Sequence, residues 1–228
     1  SLGKMVASLA HQIRTPLSAA MLYASNLTRK GLEQEAQTQF ANKLTDRLKE
    51  LESQVNDMLL FAKSGEEQVV SQISLDELFT SIEGSANSMA AQAQQTLTFS
   101  GFEQDLSITG NLTALQGAVL NLIHNASQVT PKGERVHVQA TVSEHLLHIS
   151  VVDRGPGVPD SLKSKIFEPF FTTKTHGTGL GLAVVKSVVN AHSGSLNITD
   201  VPEGGACFSV SLPCSTNAKS SQTLTHVA

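Results

Sequence analysis

The sequence predicts an α-helical hairpin followed by an α+β sandwich, because two hydrophobic periodicities divide the chain. Through residues 1–63, apolar residues recur every three or four positions, as in amphipathic helices. Beyond residue 72, helical stretches alternate with stretches in which every second residue is apolar, as in half-buried strands. A polar, glycine-containing segment separates the two regions. We therefore expect an all-α domain and then a mixed one.

The first region contains two apolar stripes, interrupted around Gly31. The stripes comprise Leu2, Val6, Leu9, Ile13 and Leu17, then Phe40, Leu44, Leu48, Leu51, Val55, Met58 and Ala62. Two helices of this length would each run about 45 Å, and a lone hairpin of that shape cannot bury both faces. We expect it to pair with a second copy as a four-helix bundle, which makes the protein a homodimer. A helical arm packed on its own second domain is the alternative.

The second region mixes helices and strands. Ser74 and Glu77 form a capping box ahead of a helix. Further helices are expected over 112–128 and from about 179 to 193, with a long glycine- and proline-bearing segment at 154–178. Strands are expected at 96–100, 106–110, 136–142, 147–151, 195–200 and 206–212.

These patterns define four segments of the chain. The predicted limits are 1–65 for the hairpin, 66–72 for a linker, 73–214 for the sandwich and 215–228 for a disordered tail.

Composition excludes several classes of protein. A net charge of −4 over 228 residues gives no general electrostatic reason to bind nucleic acid. Cys207 and Cys214 are too few for a disulfide framework, which favours a reducing, cytoplasmic setting. No apolar stretch approaches the roughly 20 residues of a membrane span. The chain opens on a helical pattern without methionine, so we expect that an upstream part is missing.

The run "GTGLGL" at 177–182 places three glycines ahead of an apolar helix. A dinucleotide fingerprint requires a strand directly before its glycines, and a P-loop requires Gly-Lys-Ser/Thr; neither is present. A tight packing corner alone would not explain the long segment in front. Backbone N–H groups at a helix N-terminus attract phosphate, and glycines let it approach closely. Phosphate binding is therefore the favoured interpretation.

In "VVDRGPG", Asp153 has the same strand parity as the core residues Ile149 and Val151. A buried carboxylate needs donors, and the exocyclic amine of a nucleotide base would be one. Gly155 and Gly157 remove side chains that would block a flat ring. Taken alone, an ordinary aspartate in a Gly-Pro turn is the simpler interpretation.

In "NLIHNA", Asn121 and Asn125 are four residues apart and so share one helix face. Amide oxygens there would complete the shell of a Mg²⁺ bound to phosphates. Two semi-exposed asparagines without a ligand are the alternative if the pair is taken alone.

The order of these motifs resembles the nucleotide-binding domain of the GHKL ATPases, which include gyrase B, Hsp90, MutL and the histidine kinases. "NLIHNA" resembles their N box, "DRGPG" the G1 box, "IFEPFF" the F box and "GTGLGL" the G2 box. "SLAHQIRTPLS" resembles the phosphoacceptor H box of sensor histidine kinases. The resemblance implies a GHKL (Bergerat) sandwich and a hairpin for dimerisation and histidine phosphotransfer.

The resemblance also implies the cofactors ATP and Mg²⁺ and a set of residues that bind them. His11 becomes the phosphoacceptor, Asp153 the adenine contact, and Asn121 and Asn125 the metal ligands. The phosphates would be held by Lys174 and by the segment comprising Gly177, Thr178, Gly179, Leu180 and Gly181.

The residues around His11 support that role independently. His11 lies two positions from both Leu9 and Ile13, about 200° around the helix, and should project outward. A neutral imidazole nitrogen is a competent nucleophile near pH 7. Pro16 removes the helical hydrogen bond to Gln12 and should bend the helix there.

Two further positions concern the chemistry. The family usually places Glu or Asp after the histidine, whereas Gln12 stands here. An amide can fix the imidazole tautomer but cannot accept a proton, so slower autophosphorylation is expected. Thr15, one turn beyond His11, matches a position implicated in hydrolysing the partner's phosphoaspartate; a plain surface threonine is the alternative.

The stretch "HQIRTPLSAAMLYASNL" is similar to soluble flagellar sensor kinases that pair with NtrC-like activators. The resemblance implies a response regulator as partner. Three alternatives stay open: an ATP-binding phosphatase or adaptor with weak autokinase activity, a GHKL ATPase that drives clamp or chaperone motion, and a Mg²⁺-independent nucleotide sensor.

Overall fold

The computed structural model describes residues 2–63, 70–174 and 177–216. The chain divides into two compact units. The first consists of residues 1–63 and 165–184, and the second of residues 64–164 and 185–228. No helix among the described residues is long and apolar enough to cross a bilayer.

The first unit is built on the predicted helical hairpin. Helix α1 (Leu2–Leu27) and helix α2 (Gln34–Lys63) pack against each other, and Pro16 lies within α1. Gly31, in the connection, has φ of 75°, a conformation that favours glycine. Near the turn, the rings of Tyr23 and Phe40 lie 6.3 Å apart. The predicted hairpin is confirmed.

The hairpin keeps part of its apolar surface exposed. Large apolar side chains that remain exposed on its two helices are Leu17, Met21, Leu22, Leu48, Val55 and Leu59. Apolar residues spaced by three, four or seven positions form a seam along a helix. The hairpin therefore presents an unburied apolar seam.

The second unit contains a seven-stranded sheet. Six strands follow the order β1-β3-β7-β5-β4-β2, and β6 also pairs with β7. The β2–β4 pair is parallel and the other pairs are antiparallel. The strands are β1 (Ser71–Ser74), β2 (Thr96–Ser100), β3 (Leu106–Gly110), β4 (Arg135–Ser143), β5 (Leu146–Val152), β6 (Ser195–Asp200) and β7 (Ala206–Thr216).

The remaining helices are α3 (Leu75–Gln92), α4 (Leu112–Val129), the single turn α5 (Asp160–Lys163) and α6 (Gly181–Ala191). Ser74 caps α3 by accepting a hydrogen bond from the Glu77 N–H at 3.1 Å, as the capping box predicts. Asn111 caps α4 through the Ala114 N–H at 2.9 Å. These caps fix where both helices begin.

Alternate residues of the central strands form the core. Val136, Val138, Leu147, Ile149 and Val151 are all fully buried, which confirms the predicted strand parity. Leu78, Ile82, Leu115, Leu122 and Ile123 of the helices are buried as well. This α+β sandwich confirms the predicted fold.

Three boundaries differ from the sequence prediction. Ser71 and Gln72, assigned to the linker, are already strand, since both pair with β3. Ser215 and Thr216, assigned to the tail, belong to β7, where they pair with Ser107 and Leu106. The segment 154–178 contains α5 and a 3-10 turn at Lys165–Phe167. Residues 64–69 and 217–228 lie outside the described residues.

A histidine in the sheet makes the stability of the second unit dependent on pH. His137 Nδ1 lies 2.7 Å from Thr98 Oγ1, and its Nε2 lies 3.2 Å from Ser100 Oγ. Burial, and then the nearby Arg135 charge, lower the pKa of His137 from its usual value. The unfolded chain therefore binds the proton more readily, and stability falls as the pH drops through about 6.5.

We expect the urea midpoint to be lower at pH 5.5 than at pH 7.5, and His137→Gln to reduce that difference. His145→Gln is the matched control, because His145 is exposed in the turn between β4 and β5. An equal pH slope in the wild type and in His137→Gln would contradict this assignment.

Candidate functional site

Asp153 is a buried acceptor at the end of β5, where its side chain is 3% exposed. Its Oδ1 accepts hydrogen bonds from the Gly155 N–H at 2.8 Å and the Ala206 N–H at 3.1 Å. Burial raises the pKa of Asp153 above its usual value, and these two hydrogen bonds partly oppose that rise. Both bonds end on Oδ1, so Oδ2 is the atom that a ligand donor would meet.

Two glycines allow the backbone to close around this carboxylate. A Cβ at Gly155 would lie 2.7 Å from Val129 Cγ2, at the end of α4. A Cβ at Gly205 would lie 2.1 Å from the Asp153 carbonyl oxygen, and Gly205 has φ of 105°. Gly157 also has a positive φ, of 77°. The predicted glycines 155 and 157 are therefore required by packing and by backbone conformation.

Sequence reasoning missed three contributors to the Asp153 turn. Gly205 and the Ala206 N–H come from the start of β7, and the pair of glycines in "EGGAC" was the available signal. Thr130, which is 5% exposed at the end of α4, accepts the Arg154 N–H at 3.1 Å through Oγ1. Thr130 thereby ties the Asp153 turn to the helix that carries the asparagine pair.

Asn121 and Asn125 lie on one face of α4 and both are half-buried. Their helix is held by Leu122, Ile123 and Ala126, which are buried. Asn121 Nδ2 is buried and has no hydrogen-bond partner among the described residues. An unpaired buried donor of this kind is costly unless a ligand satisfies it.

The glycine run is in the first unit, together with the segment that precedes it. The Phe170 N–H donates to the Gly179 carbonyl at 2.9 Å. Gly179 has φ of 64°, and a Cβ there would lie 2.5 Å from the Phe170 carbonyl carbon and 2.7 Å from the Phe171 oxygen. The predicted F box and G2 box are therefore locked to each other by their backbones.

The G2 run is shaped by local hydrogen bonds. Thr178 Oγ1 accepts the Leu180 N–H at 3.1 Å, and α6 begins at Gly181, slightly later than predicted. Leu180 is 1% exposed, so its side chain belongs to the core. Gly177 lies beside Thr172, whose Oγ1 would be 2.6 Å from an added Cβ.

Lys174 lies in an exposed turn, where its N–H donates to Thr172 Oγ1 at 3.0 Å. Desolvation by neighbouring protein atoms lowers the pKa of Lys174, even though the residue is exposed. Its predicted phosphate contact stays a prediction. Residues 175 and 176 lie outside the described residues.

The segment that contains His11, the predicted phosphoacceptor, lies on α1. The His11 side chain, and with it the predicted outward orientation, lies outside what the structure describes. Thr15 is exposed. Gln12 is half-buried, and its Nε2 donates a hydrogen bond of 3.1 Å to the Thr178 carbonyl. The first unit thus brings Gln12 and the G2 run together, and the second unit brings Asp153 and α4 together.

The residues present fit a nucleoside triphosphate with a magnesium ion. Asn121 Nδ2 suits a phosphate oxygen, whereas at Gly179 the backbone of Phe170 and Phe171 already occupies the place that a Cβ would take. No group of three or more acidic, histidine or cysteine side chains that could hold a metal occurs in the described part of the chain. A metal held by amide and phosphate oxygens does not need such a group of side chains.

Comparison with protein-family models distinguishes among the classes of protein that share this fold. A family model described as histidine kinase-, DNA gyrase B-, and HSP90-like ATPase matches residues 110–216. A second, the His Kinase A (phospho-acceptor) domain, matches residues 1–67. The second match decides among the three classes of ATPase. The chain belongs to the histidine kinase family.

Individual histidine kinases are similar over nearly the whole chain. Sensor protein kinase FleS of Pseudomonas aeruginosa is 44% identical over 93% of this chain and 52% of its own length. Sporulation kinase A of Bacillus subtilis is 31% identical over 92% of this chain and 34% of its own. The chain therefore spans about half, or less, of these curated relatives.

A solved structure of histidine kinase ThkA in complex with the response regulator protein TrrA has a TM-score of 0.74 at 25% identity. The match covers 93% of this chain and 61% of the matched chain of that complex. Full-length ShkA in complex with AMPPNP has a TM-score of 0.65 at 27% identity, over 93% of this chain and 46% of that one. The two-domain architecture of this histidine kinase is therefore shared with solved members of the family.

Proposed function

We propose that this chain phosphorylates itself on His11 with ATP and passes the phosphoryl group to an aspartate of a response regulator. The observation that carries the proposal is the combination, in one chain, of a phosphoacceptor domain with an ATPase domain whose Asp153 turn is built around a buried carboxylate. Gyrase-like and Hsp90-like ATPases have no use for the first of these domains.

The proposed reaction has two transfers. An imidazole nitrogen of His11 attacks the γ-phosphorus, the bond to the β-phosphate oxygen breaks, and ADP leaves. The N–P bond then breaks as a carboxylate oxygen of the regulator bonds to phosphorus. Such transfers depend mainly on positioning and on neutralising phosphate charge. We assign Thr15 to a phosphatase step on the same regulator.

Each binding residue has a stated task. Asp153 Oδ2 accepts the exocyclic amine of adenine, and the backbone of the G2 run, with Lys174, holds the phosphates. Asn121 and Asn125 are the residues that would hold Mg²⁺, which neutralises charge on the phosphates when bound.

We propose a homodimer as the working form. The exposed seam on α1 and α2, which includes Met21 at 66% exposure, supports this arrangement because burying it requires a partner surface. The resemblance of "HQIRTPLSAAMLYASNL" to flagellar sensor kinases supports a flagellar role and an NtrC-like regulator. The similarity to ThkA bound to TrrA supports a response regulator as partner. A cytoplasmic location is part of the same proposal.

Incubation with Mg²⁺ and γ-labelled ATP tests the proposal. We expect label that is acid-labile and alkali-stable, and no label on His11→Ala, because phosphohistidine has this stability and no other residue is assigned as acceptor. ATP binding by His11→Ala should equal that of the wild type.

Two other outcomes would replace the proposal. Sustained ATP hydrolysis without a phosphoprotein would indicate a non-kinase ATPase of the same fold. ATP binding without label, together with dephosphorylation of a regulator, would indicate a phosphatase or adaptor.

A further inference from the structure

Gln12 is bonded to the segment that we assign to the phosphates of ATP. Its Nε2 donates to the Thr178 carbonyl at 3.1 Å, across 166 positions of the chain. Thr178 belongs to the G2 run, and Gln12 directly follows the phosphoacceptor position in α1. One hydrogen bond within the first unit therefore joins the phosphoacceptor helix to the phosphate-binding run.

This bond requires a donor at position 12. A carbonyl oxygen can only accept a hydrogen bond, and an ionised glutamate can also only accept one, so these two groups cannot bond to each other. The acidic residue expected at this position from the resemblance would thus lose the bond and place a negative charge against the Thr178 carbonyl. Glutamine is nearly isosteric with glutamate and supplies the donor. The departure from the family pattern at position 12 is explained by its partner.

The second half of the amide has no comparable partner. Gln12 Oε1 is buried and makes no hydrogen bond to any residue that the structure describes. Leaving a buried acceptor unsatisfied costs free energy, and an apolar side chain of similar shape would avoid that cost. Packing alone therefore gives no reason for glutamine here, whereas the Thr178 bond does.

We propose that Gln12 is a positioning residue that docks the G2 run of its own chain on α1, next to His11. The inference rests on the proposed autokinase function and adds to it how the phosphate-binding run is brought to the acceptor. Because the bond lies within one chain, it implies that His11 receives the phosphoryl group from the nucleotide bound by the same chain. Gln12 acts through its hydrogen bond to the Thr178 backbone and does not accept a proton in the reaction.

The test uses the full chain and two substitutions that keep the shape of the side chain. Gln12→Met removes the donor, and Gln12→Glu replaces it by a charged acceptor. At saturating Mg²⁺ and labelled ATP, we expect Gln12→Met to lower the single-turnover rate of His11 labelling about fivefold, as for the loss of one hydrogen bond. Gln12→Glu should lower it further. The Kd for ATP should not change.

Gln54 provides the matched control. It lies on α2 in the same hairpin, is 5% exposed, and also has a buried Oε1 without a partner among the described residues. No hydrogen bond of Gln54 to the G2 run is present in the described structure. Gln54→Met should therefore leave the labelling rate at the wild-type value.

Several results would overturn the inference. These are an unchanged rate in Gln12→Met, a faster rate in Gln12→Glu, a loss confined to KM, or an equal loss in Gln54→Met. A faster Gln12→Glu would instead indicate that position 12 takes the proton. If the wild-type chain shows no label on His11, the proposed function itself fails, and the two failures are thereby distinguished.

Mixed dimers test the same-chain assignment. At an ATP concentration that His11→Ala chains bind and Asp153→Asn chains do not, we expect no label when the two are paired, although the Asp153→Asn chain retains His11. Label on the Asp153→Asn chain in the mixed dimer, but not in its own homodimer, would show transfer between chains and overturn the same-chain docking.

Discussion

Replacing Gly205 by alanine is expected to unfold much of the ATPase domain at moderate urea concentration. The new Cβ would lie 2.1 Å from the Asp153 carbonyl oxygen and 3.0 Å from its Oδ1, and both belong to a buried segment. The backbone at Gly205 has φ of 105°, which L-residues rarely adopt. Strain and overlap together should cost about 4 kcal/mol of unfolding free energy. Urea denaturation followed by circular dichroism measures this cost.

The neighbouring glycine separates the two causes. Gly204 has φ of 93°, but a Cβ there meets nothing within 4 Å. Gly204→Ala should therefore cost only the backbone strain, about 1–2 kcal/mol. Equal unfolding free energies for the two variants would show that the contact with Asp153 is unimportant. ATP binding should follow the same order, since Gly205 shapes the Asp153 turn.

Asp153→Asn is expected to remove most of the affinity for ATP while the fold is retained. Asparagine Oδ1 can still accept the Gly155 and Ala206 N–H groups, but an NH₂ group then replaces Oδ2 and meets the adenine amine donor to donor. The loss of one charge-assisted hydrogen bond is worth about 1.5–3 kcal/mol, or roughly 10- to 150-fold in Kd. Titration calorimetry measures this change.

The stability of Asp153→Asn and its relative affinity for ATP and inosine triphosphate provide the controls. Because burial raises the pKa of Asp153, ionising this carboxyl costs more in the folded chain than in the unfolded one, and the neutral amide avoids that cost. Asp153→Asn should therefore be at least as stable as the wild type at pH 7. Inosine triphosphate lacks the 6-amine, so its affinity should change much less. An equal loss for ATP and inosine triphosphate would contradict the assigned contact.

The sequence predicted most elements of the fold, though not β1, because the signals of those elements are local. The stripes of α1 and α2, the cap at Ser74, and the alternation in β4 and β5 all depend on neighbouring residues. The end of β7 was not predicted, because Ser215 and Thr216 carry no strand pattern. Their strand conformation follows from pairing with β3, more than a hundred residues earlier.

The same division applies to the candidate site. Asp153, the asparagine pair and the G2 glycines were predicted from residue type and spacing together with the order of their motifs, which resembles that of the GHKL ATPases. Gly205, Ala206 and Thr130 were missed because they contact the Asp153 turn only after β5, β7 and α4 have packed. Such contacts have no spacing that a sequence pattern could contain.

Position 12 illustrates most clearly what the sequence determines and what the tertiary structure determines. The sequence alone established that a histidine kinase architecture carries glutamine where an acidic residue is usual, and this indicated a weaker proton acceptor. Only the tertiary structure decided that its amide nitrogen bonds to Thr178, because that carbonyl lies 166 residues away along the chain. The sequence determined which chemical groups are available, through local periodicity and residue type. Their partners were decided by long-range packing, which brings together groups that no local pattern relates.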